Sequence, residues 1–322
     1  MRLEKFVENN LSDVCVWDKM FNNDERTVLQ EGFLLTGLLS VIFGVWLSVT
    51  LLFSNLRLDS SYRNFANFTM VACVRRVVPA LLHIPLVKCI ETLYGMQAFS
   101  CQLFAFVETF LAVFEIECLT HVCIERYVLA KYITNGWQMT KNHYNLFFGL
   151  CVFFSCLYSI PPLFGIGSYA FDFQCTSCTF DVILPETWQR YLAVIIFGLR
   201  SIKPTIVMVT MLFWTRVLES KYPSSMKHHQ NFTRSVMVIA LVNLLCWTPI
   251  AMIRGSVVMA QLMYVDLIPL TSSFYVKWAM WVHWVSPAIS AIAMFLVDDR
   301  VRYKMFNLNA PDHEIEDVAK KE

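Results

Sequence analysis

Glu125-Arg126-Tyr127 and Cys101 are the residues whose types and spacing first suggest chemistry. The triplet closes the third of seven long apolar stretches, and Cys101 opens that stretch 24 residues earlier. An arginine at the end of an apolar helix is costly unless the charge meets a protein-lined cavity. A cysteine at the opposite end suits a tether to an extracellular loop, where disulfides persist. Together they imply a device for passing a signal inward across a membrane, with no bond made or broken on a substrate.

More charge lies inside the apolar stretches. Arg75 and Arg76 fall in the second, Glu108, Glu115 and Glu117 in the third, Arg200 and Lys203 in the fifth. Such groups normally pair with one another or line a cavity. Glu115 and Glu117 stand two apart and face different ways on a helix. One of them is expected to pair with Arg75 or Lys203, and the sequence leaves open which. Trp247 lies two residues before Pro249, and a proline within a membrane helix frees a carbonyl and bends the segment. Trp247 is therefore expected to act as a conformational switch. Trp278, Trp281 and Trp284 could line a pocket, although Trp278 could equally face the membrane interface.

The elements that must position these groups follow from composition. Hydrophobic residues make up 57% and charged residues 16%, too apolar for a soluble chain of this length. Candidate spans are 31–53, 65–87, 103–124, 146–163, 192–217, 236–257 and 273–297. Each is close to the ~20 residues that cross a bilayer as a helix. Lipid obliges the backbone to satisfy its own hydrogen bonds, so an all-α membrane protein is expected. Arg57, Arg63, Lys131, Lys141, Arg216, Lys221, Lys227, Arg234, Arg300, Arg302 and Lys304 cluster on one side of the spans. By the positive-inside rule that side is cytosolic and the amino terminus is extracellular. The expected organisation is an extracellular tail over 1–30, a membrane domain over 31–305 and a cytosolic tail over 306–322. No cleavable leader is visible, and the first span is expected to serve as the insertion signal. Asn10 in Asn10-Leu11-Ser12 is then a usable glycosylation site. Most cysteines fall within spans as small apolar fillers, while Cys175 and Cys178 sit in the loop after span four, either one a partner for Cys101. No metal-ligand spacing, nucleophile triad or phosphate loop is present, so neither an enzyme nor a metal site is expected, and nothing points to nucleic acid.

Several segments carry a resemblance. Glu125-Arg126-Tyr127 and Cys246-Trp247-Thr248-Pro249 resemble the third- and sixth-helix signatures of rhodopsin-like G-protein-coupled receptors. Asn142-His143 with Pro161-Pro162-Leu163-Phe164-Gly165, and the loop from Ser168-Tyr169 to Asp181, are similar to opsins. The resemblance covers residues 31–305 and implies a seven-transmembrane helix bundle of the rhodopsin-like type. By its Pro162-to-Cys178 spacing it implies a Cys101–Cys178 disulfide. It assigns Glu125, Arg126 and Tyr127 to coupling with a heterotrimeric G protein, Arg126 being held inactive by Glu125. It also turns Glu108 and Arg76 toward a ligand pocket that His283 would complete, with a structural ion pair holding helices two and three together as the equal alternative. Asp172 stands where many opsins carry a loop counter-ion carboxylate.

The seventh span departs from the pattern. Opsins hold retinal on a lysine in the middle of this helix. Ser286-Pro287-Ala288-Ile289-Ser290-Ala291-Ile292 resembles the retinochrome and pigment-epithelium branch, and that register places Trp284 at the lysine position. Anchoring on Pro287 instead gives Met280. Lys277 lies seven residues before Trp284, ~10 Å along the axis, near the outer mouth. The second-helix Asp of the family falls on Cys73, and Lys227-His228-His229 lies where opsins carry the sixth-helix Glu that locks the arginine. These losses resemble the opsin-like serpentine receptors of nematodes. They imply a plasma-membrane receptor, with a sensory-cell membrane as one location, that binds a small-molecule ligand, needs no cofactor, and has a leaky resting state. Two alternatives stand beside it: a retinal-binding photoreceptor or photoisomerase using Lys277 or a non-covalent pocket, and a transporter.

Overall fold

The computed structural model describes residues 23–90, 96–132, 139–167, 169–171, 178–180, 187–222, 230–263 and 273–307, with backbone alone for a few of them, among these 78–90 and 96–101. The described residues form seven long helices and one short one. They are α1 (Asn23–Phe53), α2 (Ser60–Ile90), α3 (Met96–Tyr132), α4 (Lys141–Ser159), a fifth helix in consecutive pieces, α6 (Gln230–Leu262), α7 (Ser273–Val297) and α8 (Asp299–Phe306). The fifth, α5, runs Thr187–Phe197, passes through a π turn at Gly198–Ile202, and continues over Lys203–Lys221. A two-stranded antiparallel hairpin, β1 (Tyr169–Phe171) and β2 (Cys178–Phe180), lies between α4 and α5.

Apart from α7, which keeps its expected bounds, and α4, which starts early at Lys141 but ends at Ser159 before the Pro161–Phe164 turn, the helices overrun the apolar stretches. α1 begins at Asn23, eight residues before the expected span, and α3 continues to Tyr132. The apolar stretch marks where lipid must be met, whereas the helix carries on as long as its polar ends find water or partners. Five helical segments are long and apolar enough to cross a membrane: Thr27–Phe53, Lys141–Phe164, Arg190–Lys221, Gln230–Ala260 and Phe274–Val297. Absent from that set are α2 and α3, which carry the Arg75, Arg76, Glu108, Glu115 and Glu117 charges.

The helices form a closed ring. α1 packs on α2 and α7, α7 on α6, and α3 runs through the middle against α2, α4, α5 and α6. Outward faces are apolar, as at Leu34, Leu35 and Leu38 of α1, while Ser40, Asn64, Glu115 and Asn243 are buried inside. This inversion suits lipid, where polar groups gain by facing one another. Small residues permit the closest approaches. A Cβ on Gly32 would stand 2.3 Å from the Trp281 ring, and one on Gly44 would stand 2.4 Å from Cys73 Sγ. The larger apolar core, with Leu51, Phe65, Leu119, Val122, Val236 and Met294, lies toward the Arg126 end. A smaller one, with Leu29, Ile253, Val257 and Val276, lies toward the far end.

At the Arg126 end, α8 is anchored by Asp298. Its side chain accepts from the Val301 N–H at 3.1 Å and from the Tyr62 hydroxyl at 2.9 Å. Burial pushes the Asp298 carboxyl above its ordinary value, against these two hydrogen bonds, which favour the ionised form.

Candidate ligand cavity and coupling site

Between the two cores, toward the end of α3 that carries Cys101, the bundle encloses a cavity of about 130 Å³. Its apolar walls include Phe104, Met208, Trp247, Ile250, Met280 and Trp284, from α3, α5, α6 and α7. Its charged and titratable groups are Arg75, Glu108, Arg200, Arg254 and His283. Trp284 and Met280, the two positions at which the opsin lysine would fall, both border the space, and no lysine lines it among the described residues. The Trp284 ring lies 3.7 Å from the Phe33 ring and beneath the Arg76 guanidinium. Lys277 is not a wall residue; its Nζ donates to Glu25 Oε1 at 3.2 Å, tying α7 to the start of α1.

The intramembrane charges resolve into two groups. Arg75 Nε donates to Glu108 at 2.9 Å and its Nη1 to Glu115 at 2.8 Å. Arg76 donates to the same Glu115 oxygen at 2.6 Å and reaches Ser286 Oγ and the His283 carbonyl of α7 at 3.3 Å. The second group lies on the other side of α3. Lys203 Nζ bonds Glu117 Oε1 at 2.8 Å, and His121 stands 3.7 Å from the other carboxylate oxygen. Both carboxylates whose pairing the sequence left open are thus paired, with different helices. The expectation for Arg76 needs correction. It turns away from the cavity to join α2, α3 and α7, and Arg75, one residue earlier, borders the cavity with Glu108. A step of one residue turns a helix by about 100°, which is why the choice was easily misjudged.

Arg200 sits in the π turn of α5. Pro204 has no N–H to return to the Arg200 carbonyl, and the ladder is continued by the wider bond from the Lys203 N–H to the Gly198 carbonyl. Widened turns of this kind recur at functional sites. Here one brings Arg200, Ser201 and Thr205 to the same wall. Arg254 is the wall residue that the sequence reading missed, although a lone arginine inside the sixth apolar stretch was signal enough.

Trp247 also lines the cavity, with its indole N–H buried and lacking a partner. Pro249 lies within α6 just beyond it. One turn before Trp247, Asn243 donates to Ser290 Oγ of α7 at 2.8 Å. The wall of the cavity and the α6–α7 contact are therefore on consecutive turns.

At the opposite end, Arg126 is 1% exposed. Its Nη2 donates to Ser61 Oγ at 2.6 Å, and its guanidinium lies 4.8 Å from the centre of the Phe232 ring of α6. The pair expected between Arg126 and Glu125 is not formed among the described residues. Glu125 instead accepts from Asn64 Nδ2 at 2.5 Å. Adjacent residues on a helix point in different directions, so Glu125 turns to Asn64 of α2 while Arg126 reaches Ser61 of α2 and Phe232 of α6. Ser61, Asn64 and Phe232 carried no motif and were not foreseen.

Four expectations fall wholly or partly outside the described residues: Asn10, Asp172, the Lys227-His228-His229 segment, and the side chains of Cys101 and Cys178. The helix bearing Cys101 does pack against the strand bearing Cys178, which pairs with Phe171 across the hairpin.

The family model described as 7 transmembrane receptor (rhodopsin family) matches residues 65–289. A Gq-coupled rhodopsin of Mizuhopecten yessoensis is 24% identical over 216 residues, covering 61% of this chain and 39% of that protein. A melanopsin of Branchiostoma belcheri is 30% identical over 112 residues, covering 34% of this chain and 16% of that protein. The chain thus spans less than half the length of these curated relatives. The crystal structure of squid rhodopsin superposes with a TM-score of 0.75, covering 94% of this chain and 93% of that one at 15% identity, a likeness of fold.

Proposed function

Because the chain belongs to the rhodopsin family of seven-transmembrane receptors, an all-α membrane class of receptors and not enzymes, we propose that it couples occupancy of the Trp247 cavity to a heterotrimeric G protein through Arg126. The family assignment replaces the transporter alternative. A ligand entering the cavity presses on Trp247, α6 pivots at Pro249, and Phe232 leaves the Arg126 guanidinium, opening the surface that a G protein needs. Such a ligand shifts an existing equilibrium by as much as its affinities for the two states differ. The buried Arg126 belongs to the closed state. The clustering of basic residues at this end supports a cytosolic location for it, in a plasma-membrane receptor with an extracellular amino terminus.

Two inputs fit this scheme, supported by different observations. Kinship favours light: the matched relatives are a rhodopsin and a melanopsin, and the comparisons speak for a retinal-bearing receptor more strongly than for a chemical one. The cavity favours a diffusible chemical ligand. Among the described residues its walls hold no lysine, a tryptophan and a methionine occupy the two candidate lysine positions, and arginines enter the space. At about 130 Å³ it is also below the ~300–1,000 Å³ usual for ligand pockets. The residues present do not fit a covalently held retinal, and that misfit carries the chemical-ligand reading.

One experiment separates the two. Purified receptor is incubated with 11-cis- and all-trans-retinal, and its visible spectrum is recorded before and after illumination and after acid trapping. No red-shifted, bleachable band is expected. A band that disappears in Lys277→Ala would establish a displaced Schiff base and make the chain a photoreceptor.

A further inference from the structure

The cavity wall carries an unbalanced positive charge. Arg75 and Arg76 share Glu108 and Glu115 in one network. Arg200, which borders the same space, has no hydrogen bond or ion pair among the described residues. Arg254 is engaged by a partner of its own and is left out of the balance. The remaining three guanidinium groups face two carboxylates. An unpaired charge in a membrane-embedded site is costly, and a ligand of opposite sign offsets that cost.

Two further atoms lie open on the same wall. Glu108 Oε2 and His283 Nδ1 are buried and lack a hydrogen-bond partner. Each such orphan carries the desolvation cost of a polar group left unpaired unless something fills it. Against them stand the apolar faces of Phe104, Met208, Ile250 and Met280. In size the space is close to the ~150 Å³ engineered cavity that accepts benzene.

We propose that this cavity is a binding site for a small monocarboxylate with a ring-sized apolar body, its carboxylate paired with Arg200 and a hydroxyl on the body meeting Glu108 or His283. A guanidinium offers two parallel N–H donors to a carboxylate, which a neutral amide cannot match in charge. The inference rests on reading the cavity as a ligand site. It deepens that reading by fixing the sign and size of the ligand.

The test uses the full-length receptor in lipid nanodiscs with three probes of one shape: 4-hydroxybenzoate, 4-hydroxybenzamide and 4-hydroxybenzylamine. The melting temperature is followed against probe concentration, and G-protein nucleotide exchange is measured separately. The carboxylate is expected to raise the melting temperature at concentrations at least tenfold below those the amide needs, with no effect of the amine. Arg200→Gln should remove that preference and Arg200→Lys retain part of it. Equal shifts from all three probes, no shift from the carboxylate, or a preference that survives Arg200→Gln would overturn the anion site. Should Arg200→Gln fail to fold, the comparison of probes on the wild-type protein decides alone. A selective carboxylate shift without any change in nucleotide exchange upholds the anion site and refutes the receptor reading of the cavity. Exchange driven by another input, with no carboxylate shift, does the reverse.

Discussion

Phe232→Leu should release the resting state. The Phe232 ring lies 4.8 Å from the Arg126 guanidinium and 4.3 Å from the Tyr62 ring, and all three side chains are buried. No carboxylate of α6 pairs with Arg126 among the described residues, so this stack is the α6 contact that holds it. A cation–π contact contributes ~0.5–1 kcal/mol at an exposed site and ~2 when desolvated. Burial places this one toward the upper value. Leucine keeps an apolar side chain of similar reach and spares the larger cavity penalty of alanine, so the change removes the π face more than the packing. If the contact exists only in the closed state, losing about 1–2 kcal/mol multiplies the active-to-resting ratio by roughly 5–30. The assay is ligand-free nucleotide exchange on a G protein in membranes, normalised to receptor density at the surface. The stack also tempers the leak expected from the sequence, because the wild type has a latch of a different kind. Unchanged ligand-free exchange in Phe232→Leu, at equal surface density, would show that the stack does not hold the closed state.

Three other outcomes are expected. Arg126→Ala should abolish stimulated exchange while leaving surface expression nearly intact; signalling equal to wild type would remove Arg126 from the coupling surface. Glu115→Gln leaves two buried guanidinium groups sharing a neutral amide, and breaking a buried pair of this kind costs about 3–5 kcal/mol. The variant should therefore melt earlier and reach the surface poorly, whereas a wild-type melting temperature would show that the Arg75–Glu115–Arg76 network is not structural. Peptide mapping of unreduced protein should recover Cys101 linked to Cys178. A link to Cys175, or two free thiols, would refute that pairing, which could stabilise by a few kcal/mol through loop closure.

What the sequence disclosed, and what it withheld, divides along physical lines. The spans were legible because lipid imposes a length and a composition on each helix. The Arg126 end of α3 was legible because charge there has few tolerable positions. The pairing of Glu117 with Lys203, in contrast, depends on how two helices are rotated against each other, which composition does not encode. That Arg75 borders the cavity and Arg76 does not depends on the same rotation, since one residue along a helix changes its face. Ser61, Asn64 and Phe232 escaped because serine, asparagine and phenylalanine are ordinary residues whose importance comes from the arginine and glutamate they meet. The π turn around Arg200 left a trace in Pro204, which was visible but not read.

The two glycine contacts of α1 have a mechanical consequence. With less than 3 Å between a hypothetical Cβ and Trp281 or Cys73, the seam joining α1 to α2 and α7 has no slack to surrender. Compliance must then be found elsewhere in the ring. That seam, with the Lys277–Glu25 clasp at one end and the Tyr62–Asp298 bond at the other, behaves as a stiff frame. Work done on the molecule from inside is delivered to the opposite arc, where α5 has its widened turn and α6 its proline.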